Sequence, residues 1–290
     1  MTEVIETAFV AGEVKEEKVE KKTEDKESTK IRCSLFFDGT LNNRINIEQR
    51  LISSDEDDLN QDEIKDRDRI NNDMLESDKD TAPDVYDDYG GKDSSYEGYF
   101  TNVEKMERYV DKAEGFDHSE PFYIEGPGTE DKEKDKFLGK AFGESAEKLG
   151  SNTGILSKVK IGADKVVNEI TKLIKPDVII DEIVLDVFGF SRGAAGARYF
   201  IYQALRDDEN IKKILLGKGY TVNKIEVHFA GLYDTVSSYG YLFAFDGDNV
   251  EQLKLDSVRL VKKKVVHLAA ADEHRKYFSL TNIRSVVKNK

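Results

Sequence analysis

The sequence predicts an α/β fold, in which a mostly parallel β-sheet carries helices on both faces. Short apolar runs typical of buried strands occur near 31–37, 121–125, 182–188 and 224–232. Segments with helical spacing of apolar residues separate these runs, and strands that alternate with helices form parallel sheets. The chain has 290 residues, of which 38% are hydrophobic, enough for one large domain with a sizeable core.

The negative charge of the chain is concentrated in one segment. The formal net charge is −14, and residues 51–97 contain 17 acidic and 5 basic residues, which gives −12 for that segment. The remainder is close to neutral and has no basic stripe, so we expect no nucleic-acid partner. The single cysteine, Cys33, excludes an internal disulfide framework and a zinc site built from cysteines.

The composition divides the chain into a leader and one domain. Residues 1–30 are rich in Lys, Glu and Thr, which predicts a disordered leader before a folded domain at 31–290. Residues 51–97 are expected to form a solvated insertion with a short helix over 61–76, and no metal site, since the spacing does not match a calcium loop. We find no signal-peptide pattern and no apolar run of membrane-spanning length, and we expect a cytoplasmic location in the producing cell.

The first predicted strand ends in a turn that begins Asp38-Gly39-Thr40. Phosphatases of the haloacid dehalogenase type carry Asp-x-Asp-Gly-Thr after their first strand, and the first Asp of that motif is the nucleophile. Phe36 stands at that position here and cannot attack phosphate, which argues against this activity. We expect Asp38 and Asn42 to hold the loop that follows the strand.

The second predicted strand leads into the glycine-rich loop Gly126-Pro127-Gly128-Thr129, which we expect at the same edge of the sheet as Asp38. Residues 137–157 are rich in glycine and small side chains, which predicts a mobile or substrate-covering loop. A helix is expected from about 162 to 175, where apolar residues recur at helical spacing and Pro176 ends the pattern.

An apolar run leads directly into Gly189-Phe190-Ser191-Arg192-Gly193, and small residues begin a helix directly after it. Gly-x-Ser-x-Gly between a strand and a helix is the nucleophile elbow of α/β-hydrolases, a tight turn that lifts the serine clear of the sheet. Side chains at the two glycine positions would collide with neighbouring backbone. The sequence therefore predicts Ser191 as a nucleophile, with backbone N–H groups at Arg192 and at Gly39 or Thr40 forming an oxyanion hole.

The strand near 224–232 is followed by Asp234. An acid at the carboxyl end of the strand after the elbow points back toward the serine, and the order Ser then Asp matches the hydrolases. Residues 256–275 are predicted to be helical and to carry His267 and His274. His267 is the candidate for the catalytic base, and packing of the predicted helix is its alternative role.

Five motifs, in this order, resemble the α/β-hydrolase domain of the type VI secretion lipase effectors, family one. They are Phe37-Asp38-Gly39-Thr40-Leu41-Asn42-Asn43, Gly126-Pro127-Gly128-Thr129, Gly189-Phe190-Ser191-Arg192-Gly193-Ala194-Ala195, Asp234-Thr235-Val236 and Asp272-Glu273-x-Arg275. The resemblance extends from about residue 31 to 280. Five ordered motifs are far more specific than the elbow alone.

The resemblance implies an antibacterial serine esterase that cleaves phospholipid acyl esters, with Ser191 as nucleophile, Asp234 as the acid of the triad, and no cofactor. It implies a phospholipid substrate at a membrane surface, delivery to the periplasm of a target bacterium, and a secretion spike or adaptor and an immunity protein as partners. The family's triad histidine lies in a Gly-x-His-Ser-Asp-x-Gly-Gly segment after a further strand. That segment does not occur in this sequence, so we expect the C-terminal part of the domain to be missing.

Two classes of function remain open on the sequence. The first is a lipase catalytic domain whose turnover needs a histidine that this sequence lacks. The second is a non-catalytic fragment or interaction module that keeps the hydrolase fold. Covalent labelling by a fluorophosphonate and hydrolysis of a short-chain nitrophenyl ester would separate them, because both reactions require an activated serine.

Overall fold

The computed structural model describes residues 9–10, 13–14, 27–136, 153–206, 210–237, 253–272 and 281. The strands in these residues are β1 (Phe9–Val10), β2 (Glu13–Val14), β3 (Ser28–Phe37), β4 (His118–Ile124), β5 (Ile179–Phe190), β6 (Thr221–Tyr233) and β7 (Lys264–Leu268). In this part of the chain β1 and β2 form a short antiparallel pair, and the other five form one parallel sheet in the order β4-β3-β5-β6-β7. The α/β fold predicted from the sequence is confirmed.

The helices connect the strands and surround the sheet. In the described residues they are α1 (Arg44–Ser53), α2 (Gln61–Asp73), α3 (Glu76–Tyr89), α4 (Asn102–Glu107), α5 (Ile155–Leu173), α6 (Arg192–Leu205) and α7 (Ile211–Gly217), with single 3₁₀ turns at Glu56–Asp58 and Leu255–Leu260. None of these helices combines the length and the apolarity needed to cross a bilayer.

The apolar strand β3 supplies side chains to both layers around the sheet, because successive residues of a strand point to opposite faces. Phe37 packs against Phe200 of α6, with ring centroids 5.5 Å apart. On the other face Phe36 stacks on Phe188 of β5, with centroids 4.7 Å apart. The main core thus lies between the sheet and the helices α5 and α6, whose buried residues join those of β3 and β5 in one cluster.

The helix predicted over 256–275 is wrong. Residues 255–260 form a 3₁₀ turn, and Lys264–Leu268 form the edge strand β7, which pairs in parallel with β6. Val265 and Val266 suit an extended strand, since β-branched side chains lose rotamer freedom in a helix. His267 is therefore a strand residue, and its Cα lies opposite that of Leu232 in the register. His274 lies outside the described residues, as do most of the predicted leader and residues 137–152 of the predicted loop.

The acidic segment is more ordered than a solvated loop. In place of one short helix over 61–76, α2 and α3 follow one another, and α1 packs against both. A small separate core joins α1, α2 and Phe100, and its buried members are Ile47, Leu51, Leu59, Ile70 and Phe100. Asn60 caps α2 through a capping box with Glu63, which fixes where that helix begins.

Candidate active site

Three of the residues singled out in the sequence directly follow neighbouring parallel strands. Asp38 follows β3, Ser191 follows β5 and Asp234 follows β6. Because these strands are parallel and adjacent, their carboxyl ends meet at one edge of the sheet, where open α/β sheets bind ligands. The structure therefore brings the three side-chain positions to one edge.

Ser191 occupies a strained turn between β5 and α6. Its backbone angles are φ 56° and ψ −123°, a conformation that side-chain-bearing residues rarely adopt. A Cβ at Gly189 would lie 2.6 Å from Ala194 Cα, and a Cβ at Gly193 would lie 2.2 Å from the carbonyl oxygen of Asp38. Both contacts are with backbone, which cannot give way, so only glycine fits at either position.

The elbow is tied by its backbone to the loop that follows β6. The N–H of Ser191 donates to the carbonyl of Tyr233 at 2.9 Å, and the N–H of Val236 donates to the carbonyl of Ser191 at 3.1 Å. Ser191 itself is 8% exposed. These bonds hold the serine and the segment containing Asp234 in one rigid unit.

Asp38 lies beneath the loop after β3, where it accepts three hydrogen bonds. Its Oδ1 accepts from the N–H of Gly39 at 2.7 Å and from the hydroxyl of Thr101 at 2.9 Å, and its Oδ2 accepts from the hydroxyl of Tyr123 at 2.8 Å. Burial nevertheless raises the pKa of this carboxyl to about 6. Tyr123 also accepts from the N–H of Arg44, so it links the start of α1 to Asp38.

The N–H of Gly39, one of the amides expected in an oxyanion hole, thus donates to Asp38. In the part of the chain that the structure describes, the N–H of Thr40 donates to no protein acceptor. The side chain of Arg192 donates to the Thr40 hydroxyl at 3.1 Å, and burial lowers the pKa of its guanidinium. This contact joins the loop after β3 to the first residue of α6.

The glycine-rich loop after β4 is hydrogen-bonded through its backbone to the loop after β3. The N–H of Gly126 donates to the carbonyl of Asn42 at 2.8 Å, and the N–H of Leu41 donates to the carbonyl of Pro127 at 3.2 Å. A Cβ at Gly126 would lie 1.7 Å from the carbonyl oxygen of Gly39. Such close approach of two backbones explains why glycine follows this strand.

Asp234 and His267 lie at the ends of the adjacent strands β6 and β7 but do not bond to one another. Asp234, with φ 47°, accepts the N–H of Ala270 on Oδ1 at 2.5 Å. The Nε2 of His267 faces the N–H of Thr235 at 3.5 Å. Among the described residues no hydrogen bond joins His267 to Ser191 or Asp234.

The environment of His267 favours a neutral imidazole. Burial lowers its pKa, as does the positive charge of Arg198, while Asp234 acts in the opposite sense. Arg198 is itself fully buried in α6 and donates to the carbonyls of Leu255 and Thr281. The Nε2 of His267 is thus directed toward the backbone of the loop after β6.

Sequence reasoning did not find Tyr123 and Thr101, which hold Asp38. Tyr123 lies within an apolar strand pattern and Thr101 begins the short helix α4, so neither carries a local signal of its role.

Away from this edge of the sheet, Glu182, Glu226 and His228 bring possible metal-ligand atoms within 4.8 Å of one another. The Lys224 ammonium lies 2.9 Å from Glu182 and 3.0 Å from Glu226, so this cluster is accounted for as an ion-pair network.

The comparisons with known proteins bear on the fold. No protein-family model and no curated protein matches the chain. Among solved structures the chain is similar to the Tle1 effector bound to the VgrG spike of the type 6 secretion system. The two chains are 24% identical with a TM-score of 0.53, and the match covers 97% of this chain and 53% of the Tle1 chain. An uncharacterized protein from Pseudomonas aeruginosa gives 18% identity and a TM-score of 0.37 over 88% of this chain and 37% of that one. The chain thus spans about half the length of the Tle1 effector and shares its α/β fold.

Proposed function

We propose that this chain carries the catalytic serine of an ester hydrolase, an antibacterial type VI secretion effector that cleaves phospholipid acyl esters. The observation that carries the proposal is the left-handed backbone of Ser191 between β5 and α6, flanked by two glycines that nothing larger can replace. Strain of this kind costs about 1–3 kcal/mol and persists where function requires it. The likeness in fold to the Tle1 effector supports the type of hydrolase.

In the proposed reaction the Ser191 oxygen attacks the ester carbonyl and loses its proton to the base. The bond between the carbonyl carbon and the alkoxy oxygen then breaks, the alcohol part of the phospholipid leaves with that proton, and water hydrolyses the acyl-enzyme to the free fatty acid and serine. The backbone N–H groups of Thr40 and Arg192 stabilise the negative oxygen of the tetrahedral intermediate. Arg192 begins α6, and the N–H groups of a first helical turn favour negative charge. The mechanism uses neither a metal nor an organic cofactor.

The proposed base is a histidine outside the described residues, which removes the proton of Ser191 and is oriented by Asp234. The other carboxylate oxygen of Asp234, Oδ2, has no bond to the chain among the described residues, whereas Oδ1 is held by Ala270. His267 points toward Thr235 and is not the proposed base. Asp234 would hold the imidazole in the tautomer that accepts from serine.

The same geometry also favours a second candidate, a module that keeps the hydrolase fold without turnover. Within the described residues no imidazole is hydrogen-bonded to Ser191, and a serine without a base is a poor nucleophile. Under this candidate the chain would bind a partner or a lipid surface and would not cleave esters.

The experiment that tests the proposal is covalent labelling by a fluorophosphonate, with hydrolysis of a nitrophenyl butyrate ester as the second readout. We expect the protein to be labelled when the histidine that the proposal requires is present, and Ser191→Ala to abolish labelling while the melting temperature is kept, because the side chain is small and lies at the sheet edge. Ser77→Ala, at an exposed serine of α3, is the matched control and should label like the parent. Labelling that survives Ser191→Ala, or none in the parent, would favour the module without turnover.

Partners and location follow from the same proposal. The Tle1 effector is bound to the VgrG spike in its solved structure. We propose that this chain also associates with a secretion spike or adaptor, is neutralised by an immunity protein in the producing cell, and acts on phospholipid at a membrane of the target bacterium.

A further inference from the structure

The hydroxyl of Tyr123 belongs to a buried chain of hydrogen bonds that ends at the loop after β3. Tyr123 lies on β4, next to β3, and is 6% exposed. Its hydroxyl donates to Oδ2 of Asp38 at 2.8 Å and accepts from the N–H of Arg44, the first residue of α1, at 3.1 Å. Burial and the negative charge of Asp38 hold the pKa of the phenol well above its usual value. The hydroxyl therefore keeps its proton and remains a donor to Asp38.

The carboxylate of Asp38 in turn fixes the first peptide group of that loop. While Oδ2 accepts from Tyr123, Oδ1 accepts from the N–H of Gly39 at 2.7 Å and from the hydroxyl of Thr101 at 2.9 Å. Hydrogen bonds to an ionised acceptor are roughly twice as strong as those between neutral groups. The carboxylate cannot turn without breaking one of these bonds, so the N–H of Gly39 keeps one direction.

The following peptide group, between Gly39 and Thr40, carries the amide that the proposed reaction uses. Its carbonyl oxygen, on Gly39, accepts from the N–H of Asn42 at 3.0 Å. Because a trans peptide group is planar, its N–H points away from its carbonyl oxygen, and the Thr40 N–H thus points away from Asn42. A Cβ at Gly39 would lie 2.6 Å from the ring of Phe190, the residue before the serine, so this loop packs directly against the serine turn.

We propose that Tyr123 is a positioning residue for the reaction of Ser191 and acts through Asp38. Its hydroxyl holds the carboxylate, the carboxylate holds Gly39, and the orientation of Gly39 sets where the Thr40 N–H meets the negative oxygen of the intermediate. Oxyanion donors are effective when they are aligned before the reaction, because no reorganisation is then needed. This role rests on the proposed function, whereas the contacts behind it can be measured without hydrolysis.

The alternative role of Tyr123 is a hydroxyl that only stabilises the fold, and Tyr220 provides the comparison. Tyr220 is also 6% exposed, and its hydroxyl donates to the carbonyl of Ile174 at 3.0 Å. It directly precedes β6, at the end of that strand away from the serine turn. Tyr123→Phe and Tyr220→Phe each delete one buried hydroxyl and keep the ring, so Tyr220→Phe is the matched control.

The first readout is the rate at which a fluorophosphonate labels Ser191 in the protein that includes the histidine required by the proposed function. We expect Tyr123→Phe to lower this rate at least about tenfold, because the Thr40 N–H loses its alignment. Tyr220→Phe should stay within about twofold of the parent. Circular dichroism shows that both variants are folded at the assay temperature.

The second readout needs no hydrolysis and follows the amide signal of Gly39 by NMR as the pH is changed. Burial raises the pKa of the Asp38 carboxyl to about 6; the charge of Glu104 on α4 acts in the same sense, and the hydrogen bond from Tyr123 acts in the opposite one. The Gly39 signal should follow this titration in the parent. Tyr123→Phe should move its midpoint up by about one pH unit, because the ionised carboxylate loses a donor. Tyr220→Phe should leave the midpoint unchanged.

The positioning role is overturned if Tyr123→Phe and Tyr220→Phe are labelled at the same rate, or if the two variants share one midpoint. If neither the parent nor any variant is labelled, the proposed hydrolysis fails, and the midpoint alone then shows whether Tyr123 holds Asp38 and Gly39. Should Tyr123→Phe not fold, Thr101→Val removes the other side-chain donor to Asp38 and should lower labelling, whereas Thr101→Ser keeps the hydroxyl and should restore it. Equal labelling of the two Thr101 variants would likewise overturn the proposal.

Discussion

Replacing Asp38 with asparagine is expected to change how the stability of the protein depends on pH. Asp38 is 2% exposed, and burial raises the pKa of its carboxyl from 3.8 to about 6. Between these two values the folded protein holds a proton that the unfolded chain has released. Its stability therefore falls as the pH rises from about 4 to about 6, and this contribution is constant above that range.

The size of the effect follows from the difference between the two pKa values. A shift of about two units corresponds to about 3 kcal/mol. The amide that Asp38→Asn introduces does not titrate, and its oxygen can still accept from the N–H of Gly39. The unfolding free energy of Asp38→Asn should thus rise by about 3 kcal/mol relative to the parent between pH 4 and pH 7. Urea unfolding followed by circular dichroism at intervals of pH measures this difference.

Asp117→Asn is the control for the titration of other carboxyls. Asp117 is exposed, and hydrogen bonds from the Lys30 N–H and the Thr29 hydroxyl lower the pKa of its carboxyl. It is therefore ionised in both states above about pH 5, and its difference from the parent should stay flat from pH 5 to pH 7. A difference for Asp38→Asn that is flat within about 0.5 kcal/mol over the whole range would contradict a raised pKa, because the pKa of Asp38 would then be the same in the folded and unfolded states.

Three further outcomes are expected at the candidate site. Gly126→Ala should lower fluorophosphonate labelling about a hundredfold, because its Cβ would lie 1.7 Å from the Gly39 carbonyl oxygen. Gly196→Ala is the control, since its Cβ would lie 3.7 Å from the nearest atoms, and it should not lower labelling. Equal labelling rates in the two variants would contradict the role given to the loop after β4. Where turnover is measured, Asp234→Asn should reduce it about ten-thousandfold through the wrong histidine tautomer, and a loss below tenfold would place the acid elsewhere. His267→Ala should leave labelling within about threefold, since the Nε2 of the imidazole faces the N–H of Thr235, and a loss of about a hundredfold would make it the base.

Much of the fold could be predicted because its signals are local. The apolar runs at β3, β5 and β6 are long enough to identify buried strands without knowledge of their partners. The turn at Ser191 was predictable for the same reason. The Gly-x-Ser-x-Gly spacing is local, although only Gly189 is required by nearby backbone, that of Ala194, whereas Gly193 is required by the carbonyl of Asp38 on the loop after β3.

β7 and the role of Asp38 could not be predicted, because both depend on residues far away in the chain. The five residues of β7 are too few to show a period, and pairing with β6 decides that they are extended. Asp38 is fixed by Thr101 and Tyr123, which lie 63 and 85 positions along the chain. The amino-acid sequence was thus sufficient to locate four of the strands, near 31–37, 121–125, 182–188 and 224–232, and the serine turn, through local sterics and hydrophobic spacing. The fold was needed to show that Asp38 occupies the N–H of Gly39 and that His267 faces Thr235, because these contacts join segments that are far apart in the chain.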